Sequence, residues 1–328
     1  MKALVLGATG MIGGNIVRAL VSAGIAVRGL KRAGSPTWHL KDVPVEWVLG
    51  DLMDPLSLIA AMEGCQALFH AAAYYPQHSC DLAGDLRTAV TGLRHVLAAA
   101  SRTKIEKMIY TSSLTTIGPP AEPDRLADEQ DWYLPGSTRS AYFEVKYTLE
   151  MEVLRSVGAG LPAVVVNPTV VLGPGDIKPT TGALLVAVAK GQVPVWVAGT
   201  VNIVDVRDVA AAQVAALERG RVGERYILGG HNVPVRQALT LAATLAGRRP
   251  PRWPVSLKGI DILVRLAEAA GRVPLIPPPP LEHVKTMHQW RPLNTEKARH
   301  QLGLIPSPLE KTIEDSLAWF RKHGYIRK

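Results

Sequence analysis

Tyr142 and Lys146, in the run YFEVK, stand four residues apart. On a helix that spacing puts both side chains on one face. A free tyrosine has a pKa of about 10, too high for an efficient base at neutral pH. A neighbouring ammonium favours the phenolate and is expected to lower that value. Upstream, YTSS offers three hydroxyls, Thr111, Ser112 and Ser113. A second group of residues suits anion binding. GATGMIGG sets Gly7, Gly10 and Gly13 at G-x-x-G-x-x-G spacing, between a short apolar run and an amphipathic stretch. Glycines let the backbone turn tightly and approach a pyrophosphate, and the helix that follows presents free N–H groups and the positive end of its dipole. In that context the triplet points to a dinucleotide. The next apolar run ends VRGLKR, so Lys31 and Arg32 stand where an acid would otherwise accept from a ribose 2′-hydroxyl. Two cations suit a 2′-phosphate. The expected cofactor is therefore NADP, with NAD as the other candidate.

These groups need a scaffold that brings them together. Short apolar runs predict strands at residues 3–6, 26–30, 45–49, 66–69, 107–111 and 163–166, and amphipathic stretches predict helices at 11–23, 55–62, 82–101 and 140–156. The β-α alternation predicts an α/β fold: a Rossmann-type, doubly wound parallel sheet with helices on both faces. Strands buried on both faces read as continuous apolar runs, as ALVL and AVVV do. Beyond Pro168 the pattern loosens. Helices are expected at 206–218, 236–246, 257–270 and 309–322, with a late strand at 225–228 and a rigid extended connector, PLIPPPP, at 274–280. The expected division is a dinucleotide-binding domain at 1–167, with a later contribution from about 199–229, and a smaller, helix-rich, mainly substrate-binding domain at 168–328.

The bulk numbers narrow the function. A chain of 328 residues with 47% hydrophobic content can bury a core. The apolar run at 183–188 is too short to cross a bilayer, and the start is too quickly broken by glycine for a signal peptide. The net charge of +9 is scattered, with no nucleic-acid-binding motif, so the expected partner is an anionic small molecule rather than nucleic acid. Cys65 and Cys80 are the only cysteines, which suggests a reducing compartment, here taken as the cytoplasm. They give no metal-ligand spacing, and no metal is expected. Asp208, near a predicted helix start, suits the helix dipole.

With those residues in view, the chain resembles the extended short-chain dehydrogenase/reductases of the NAD-dependent epimerase/dehydratase type. TGMIGG resembles their cofactor turn, GDLMD the segment flanking the adenine, HAAA the stretch lining the cofactor, YTSS the serine strand, and YFEVK the Y-x-x-x-K pair. NPTVVLGPGDIKPT and ALERGRVGERYILGG resemble the branch of hopanoid-associated sugar epimerases and dihydroflavonol-reductase-like members. The resemblance implies catalytic roles for Ser113, Tyr142 and Lys146. Tyr142 would exchange the proton of a substrate hydroxyl or carbonyl, Lys146 hold the nicotinamide ribose and tune Tyr142, and Ser113 bond the reacting oxygen. It implies cofactor contacts from Gly7, Thr9, Gly10, Met11, Ile12, Gly13, Lys31, Arg32, Asp51, Leu52, Ala71, Ala72, Ala73 and Pro168, besides Tyr142 and Lys146. Tyr74 and Asn167 fall to the substrate, Asn167 aligning with an asparagine that contacts a substrate phosphate in nucleotide-sugar members. One departure is AVTGLRH, where Ala89 replaces a family asparagine, which bears on proton exchange with solvent. His70 and His95 read as packing or polar-network residues.

The expected function is an NADP(H)-dependent oxidoreductase acting on a carbonyl or secondary alcohol by hydride transfer. The alternative is a nucleotide-sugar epimerase or dehydratase with transient hydride transfer. A non-catalytic dinucleotide sensor is opposed by the retained Y-x-x-x-K pair. Relatives often dimerise through their two long helices, so a homodimer through 82–101 and 140–156 is expected. Specificity is expected to lie in 117–140 and the second domain.

Overall fold

The computed structural model describes residues 1–72, 74, 81–122, 124–138, 140–179, 181–256, 259 and 291–326. The helix expected at 257–270, the connector at 274–280 and Ala73 lie outside the described residues.

Seven parallel strands form the central sheet: β1 (Lys2–Leu6), β2 (Ala26–Lys31), β3 (Glu46–Leu49), β4 (Ala67–His70), β5 (Lys107–Thr111), β6 (Ala163–Pro168) and β10 (Arg225–Leu228). Their order is β3-β2-β1-β4-β5-β6-β10. Side chains alternate between the two faces with period two. On one face Ala3, Val5, Phe69, Ile109, Val164 and Val166 pack under α1 (Met11–Ser22) and α6 (Val206–Arg219). On the other, Leu4, Leu6, Leu68, Met108, Tyr110 and Val165 pack under α2 (Pro55–Met62), α3 (Leu82–Arg102) and α4 (Ala141–Gly158). Both faces of the inner strands are covered, which is why β1 and most of β6 read as unbroken hydrophobic runs, whereas β2 carries Arg28 and the edge strand β3 carries Glu46. The strand order reverses direction between β1 and β4. Ligands of such sheets sit in the crevice at that switch point, outside the carboxyl ends of the strands.

The rest of the chain builds smaller layers. A three-stranded sheet joins β7 (Val170–Leu172), β9 (Thr200–Asp205) and β11 (His231–Pro234), and a two-stranded one joins β8 (Val195–Val197) and β12 (Trp253–Val255). Around them pack α5 (Gly182–Ala189), α7 (Val235–Leu245) and α9 (Leu309–Lys322), while α8 (Glu296–Leu302) lies against α6 and β10. Of segment 199–229, β10 lies at the sheet edge and α6 packs beside α1, whereas β9 enters the small sheet. The short strands β7, β8 and β12 have three residues each, too few for a period to register, and α5, GALLVAVA, is apolar all round.

Candidate active site

At the switch point the turn after β1 can only be built from glycine. Gly7 adopts φ +80°, and a Cβ there would lie 2.6 Å from the Ala72 nitrogen. A Cβ on Gly13 would lie 2.1 Å from the Gly7 carbonyl oxygen, so α1 starts hard against the turn. Gly10 is different: it faces open space, with only the Gly7 oxygen, at 3.4 Å, inside 4 Å. Gly10 is the N-cap of α1, no side chain caps the helix, and its first turn has no acid. Among the described residues the amides of Met11, Ile12 and Gly13 have no protein acceptor. Free amides, a dipole end and a cradle without side chains fit a pyrophosphate. Thr9 stands at the mouth, partly exposed. Ala71 donates to the Leu6 oxygen at 2.9 Å, which lays Ala71 and Ala72 beside Gly7.

Next to it, Lys31 places its ammonium 5.8 Å from the centroid of the Trp47 ring. Arg32 is exposed, and among the described residues its guanidinium has no partner. Asp51 Oδ1 accepts from the Met53 amide at 2.9 Å, shaping the turn that presents Leu52, whose carbonyl meets His95 Nδ1 at 3.1 Å. His95 is thus a packing and polar-network residue.

Across the crevice, the three candidate hydroxyls separate. Thr111 is within 3.0 Å of Gln213 Oε1, and Ser112 hydrogen-bonds Glu150. Ser113 follows β5 and lies at the hydrogen-bond limit from Tyr142, with the tyrosine hydroxyl 3.5 Å from Ser113 Oγ. The Thr115 amide donates to the same Oγ at 3.2 Å. Lys146, one turn beyond Tyr142 on α4, sits with its ammonium 5.9 Å from the tyrosine ring centroid. It is buried, and among the described residues it has no hydrogen-bond or ion-pair partner. Burial pulls its pKa down to about 8, against the attraction of Glu150. His70, buried at the end of β4, is held neutral: burial, with Lys146 nearby, takes its pKa to about 3.

One sequence expectation is corrected. Tyr142 does not have a lowered pKa: desolvation pushes it up, outweighing the lowering from the Ser113 hydrogen bond. Lys146 lies toward the ring rather than in contact with the hydroxyl. Asn167 turns inward. It is fully buried, its Nδ2 lying 3.3 Å from the Ser113 oxygen, 2.9 Å from Thr116 Oγ1 and 2.8 Å from Glu150 Oε2. Those contacts occupy its donor inside the protein. Pro168 is buried in β6 opposite Leu228. The Tyr74 hydroxyl donates to Asp85 Oδ1 at 2.6 Å, and that bond raises the tyrosine's pKa. Asp208 accepts from the Ser307 amide at 2.6 Å and its hydroxyl at 2.8 Å, a structural tie between α6 and the approach to α9. Ala89, on α3, is packed in the core.

A small recess of about 20 Å³ is walled mainly by Leu114, Ile117, Val170, Val201 and Leu293, with Thr200, Asn202 and Arg291 as its polar members. The sequence reading passed over Glu150 and Arg225, which meet behind Ser113. The available signal was Glu150's place four residues after Lys146, continuing the stripe begun by Tyr142.

A model of the NAD dependent epimerase/dehydratase family matches residues 3–229. A Synechocystis sp. protein provisionally named dihydroflavonol 4-reductase is 37% identical, over 98% of this chain and 95% of its own length. Sterol demethylase protein B of Methylococcus capsulatus is 30% identical, over 99% and 100%. The crystal structure of a nucleoside-diphosphate-sugar epimerase from Pseudomonas aeruginosa superposes with a TM-score of 0.85 at 28% identity, covering 100% of this chain and 99% of that one. With the glycine turn at the switch point of its sheet and relatives along its whole length, the chain belongs to the NAD dependent epimerase/dehydratase family of enzymes.

Proposed function

We propose that the protein is an NADP(H)-dependent oxidoreductase that interconverts a carbonyl and a secondary alcohol, with Ser113, Tyr142 and Lys146 as its reacting and orienting groups. The observation that carries this reading is their placement. The Ser113 and Tyr142 hydroxyls lie 3.5 Å apart on the crevice beside an uncapped, glycine-lined helix start. When bound, the nicotinamide would supply or remove the hydride at the substrate carbon. Ser113 would hydrogen-bond the oxygen on that carbon. Tyr142 would move the proton at that oxygen, and Lys146 would bind the cofactor's ribose hydroxyls with the donors it has free. Burial favours the protonated form of Tyr142, which can deliver a proton to a developing alkoxide. Arg32, exposed and with a free guanidinium, and Lys31 support a 2′-phosphate, hence NADP(H).

The rival reading, a nucleotide-sugar epimerase, is favoured by the Pseudomonas aeruginosa relative. The burial of Asn167, whose amide nitrogen is committed to partners within the protein, weighs against it. We further propose that residues 1–167 with α6 and β10 carry the dinucleotide and the remainder the small-molecule substrate. We also propose that the enzyme is cytoplasmic and pairs as a homodimer through α3 and α4. Sedimentation would test the pairing. The deciding experiment for function is stoichiometry: purified protein, NADPH and a panel of ketones, aldehydes and nucleotide sugars. One NADPH consumed per product supports reduction. Product from a nucleotide sugar, with the cofactor retained and no net change in its absorbance, overturns it in favour of epimerisation.

A further inference from the structure

Directly behind Ser113 lies a buried ion pair. Glu150 is 0% exposed and Arg225 4%, with Arg225 Nε 2.6 Å from Glu150 Oε1. Taking two charges out of water is unfavourable unless good geometry and further hydrogen bonds compensate, so such a pair needs an account beyond stability. Its contacts supply one. Glu150 Oε2 is bonded by the Ser112 hydroxyl and lies 2.8 Å from both Thr116 Oγ1 and Asn167 Nδ2. Arg225 Nη2 is 3.0 Å from the Thr116 carbonyl oxygen and Nη1 2.8 Å from that of Glu129, and the guanidinium stacks 3.7 Å from the Trp132 ring centroid. The pair thus ties together α4, the 3-10 turn Leu114–Thr116, the end of β6, and β10. Two of the tied groups close on Ser113 itself: Thr116 Oγ1 lies 2.9 Å, and Asn167 Nδ2 3.3 Å, from its carbonyl oxygen. On α4, Tyr142, Lys146 and Glu150 are spaced by four and share one face.

We propose that Glu150, clamped by Arg225, is a positioning residue that fixes the Ser113 peptide against the helix face carrying Tyr142 and Lys146. The inference rests on the reading of those three residues as the reacting set. One carboxylate holds both walls of the site: its own helix presents the tyrosine, and its hydrogen bonds lock the turn presenting the serine. The same carboxylate is the anion that favours the Lys146 ammonium. The titratable groups acting on Lys146 and Glu150 are Tyr142 on α4, His70 from β4, Tyr110 from β5 and Arg225 from β10. The histidine and tyrosines are neutral near pH 7, so Glu150 and Arg225 set the local charge.

The test uses the full chain with three variants, Glu150→Gln, Thr116→Val and the double Glu150→Gln/Arg225→Met. The double variant removes both charges and leaves neither unpaired, so it keeps the question open to measurement if the single charge change prevents folding. NADPH affinity is measured by calorimetry, and turnover with 9,10-phenanthrenequinone as the carbonyl probe. Misplacing a reacting group by about 1 Å costs up to about a hundredfold in rate. The expected result is a fall in kcat of about ten- to a hundredfold in Glu150→Gln or the double variant, a smaller fall in Thr116→Val, and NADPH affinity within about twofold of wild type. In Glu150→Gln the alkaline limb of the rate profile moves to lower pH. A crystal structure of the double variant should show Ser113 and Tyr142 moved apart. Wild-type kcat and pH profile, or NADPH affinity lost in step with rate, would overturn the proposal. If wild type leaves the dione unreduced, that counts against the proposed function. The crystal structure then decides alone: an unmoved Ser113–Tyr142 pair overturns the positioning role, and a separated pair supports it.

Discussion

Replacing Lys146 by methionine should stabilise the protein. Lys146 is 4% exposed, and among the described residues nothing hydrogen-bonds or ion-pairs its ammonium. Burial lowers its pKa from 10.5 to about 8. A base whose folded pKa is depressed binds fewer protons folded than unfolded between those two values. Stability therefore rises with pH through that window, and the full penalty applies below about pH 8. At about 1.36 kcal/mol per pH unit the penalty comes to about 3 kcal/mol at neutral pH. Methionine keeps the unbranched stem and removes the charge, so Lys146→Met should gain about 1–3 kcal/mol at pH 7. For a chain of this length that is about 2–4 °C in Tm. Urea unfolding followed by tryptophan fluorescence at pH 7 and pH 9.5 measures it. The gain should shrink by about half or more at the higher pH, where folded wild-type Lys146 is neutral and the remaining penalty is about 1.4 kcal/mol, the cost of giving up its proton one unit below 10.5. The variant should also lose turnover and most of the stabilisation that NADPH confers on wild type, which at a hundredfold excess over Kd is about 2.7 kcal/mol. A neutral or destabilised variant at pH 7, or a gain that does not change with pH, would refute the reasoning.

Tyr142→Phe should fold and bind NADPH as wild type does, while turnover drops by about 10²–10⁴-fold; near-normal rates with an identified substrate would remove Tyr142 from the chemistry. Arg32→Ala should weaken NADP(H) by about 1.5–3 kcal/mol, roughly ten- to a hundredfold, and leave NAD(H) unchanged, as read by calorimetry; an equal loss for both cofactors would count against a 2′-phosphate contact. The reductive rate should hold at neutral pH and decline above about pH 8, as Lys146 loses the proton that makes it a cation; a profile flat to pH 10 would contradict that dependence. Gly13→Ala sets a Cβ 2.1 Å from the Gly7 carbonyl oxygen, so it should give insoluble protein or abolish dinucleotide binding, and wild-type affinity would show that the turn yields.

The central sheet was legible in the one-dimensional pattern because its strands are covered on both faces. ALVL and AVVV have nowhere to show a polar residue, and amphipathic helices between them carry a 3.6-residue stripe. The glycine turn was legible for a local reason: Gly7 and Gly13 are imposed by close contacts within the turn and with the segment after β4. The Tyr142–Lys146 pair was legible because helical spacing alone puts both on one face. Tertiary structure decided the rest. Thr111, Ser112 and Ser113 are equivalent as residue types, and only the neighbours Gln213, Glu150 and Tyr142 tell them apart. Asn167 turned inward, toward partners on α4 and the turn after β5, and its direction is written nowhere near position 167. The sign of the tyrosine's pKa shift followed the same rule. Sequence spacing supplied the ammonium, a charge effect that lowers the pKa. Folding supplied desolvation, which raises it and is the larger, because exclusion of water depends on every element packed around the hydroxyl and not on any single neighbour along the chain.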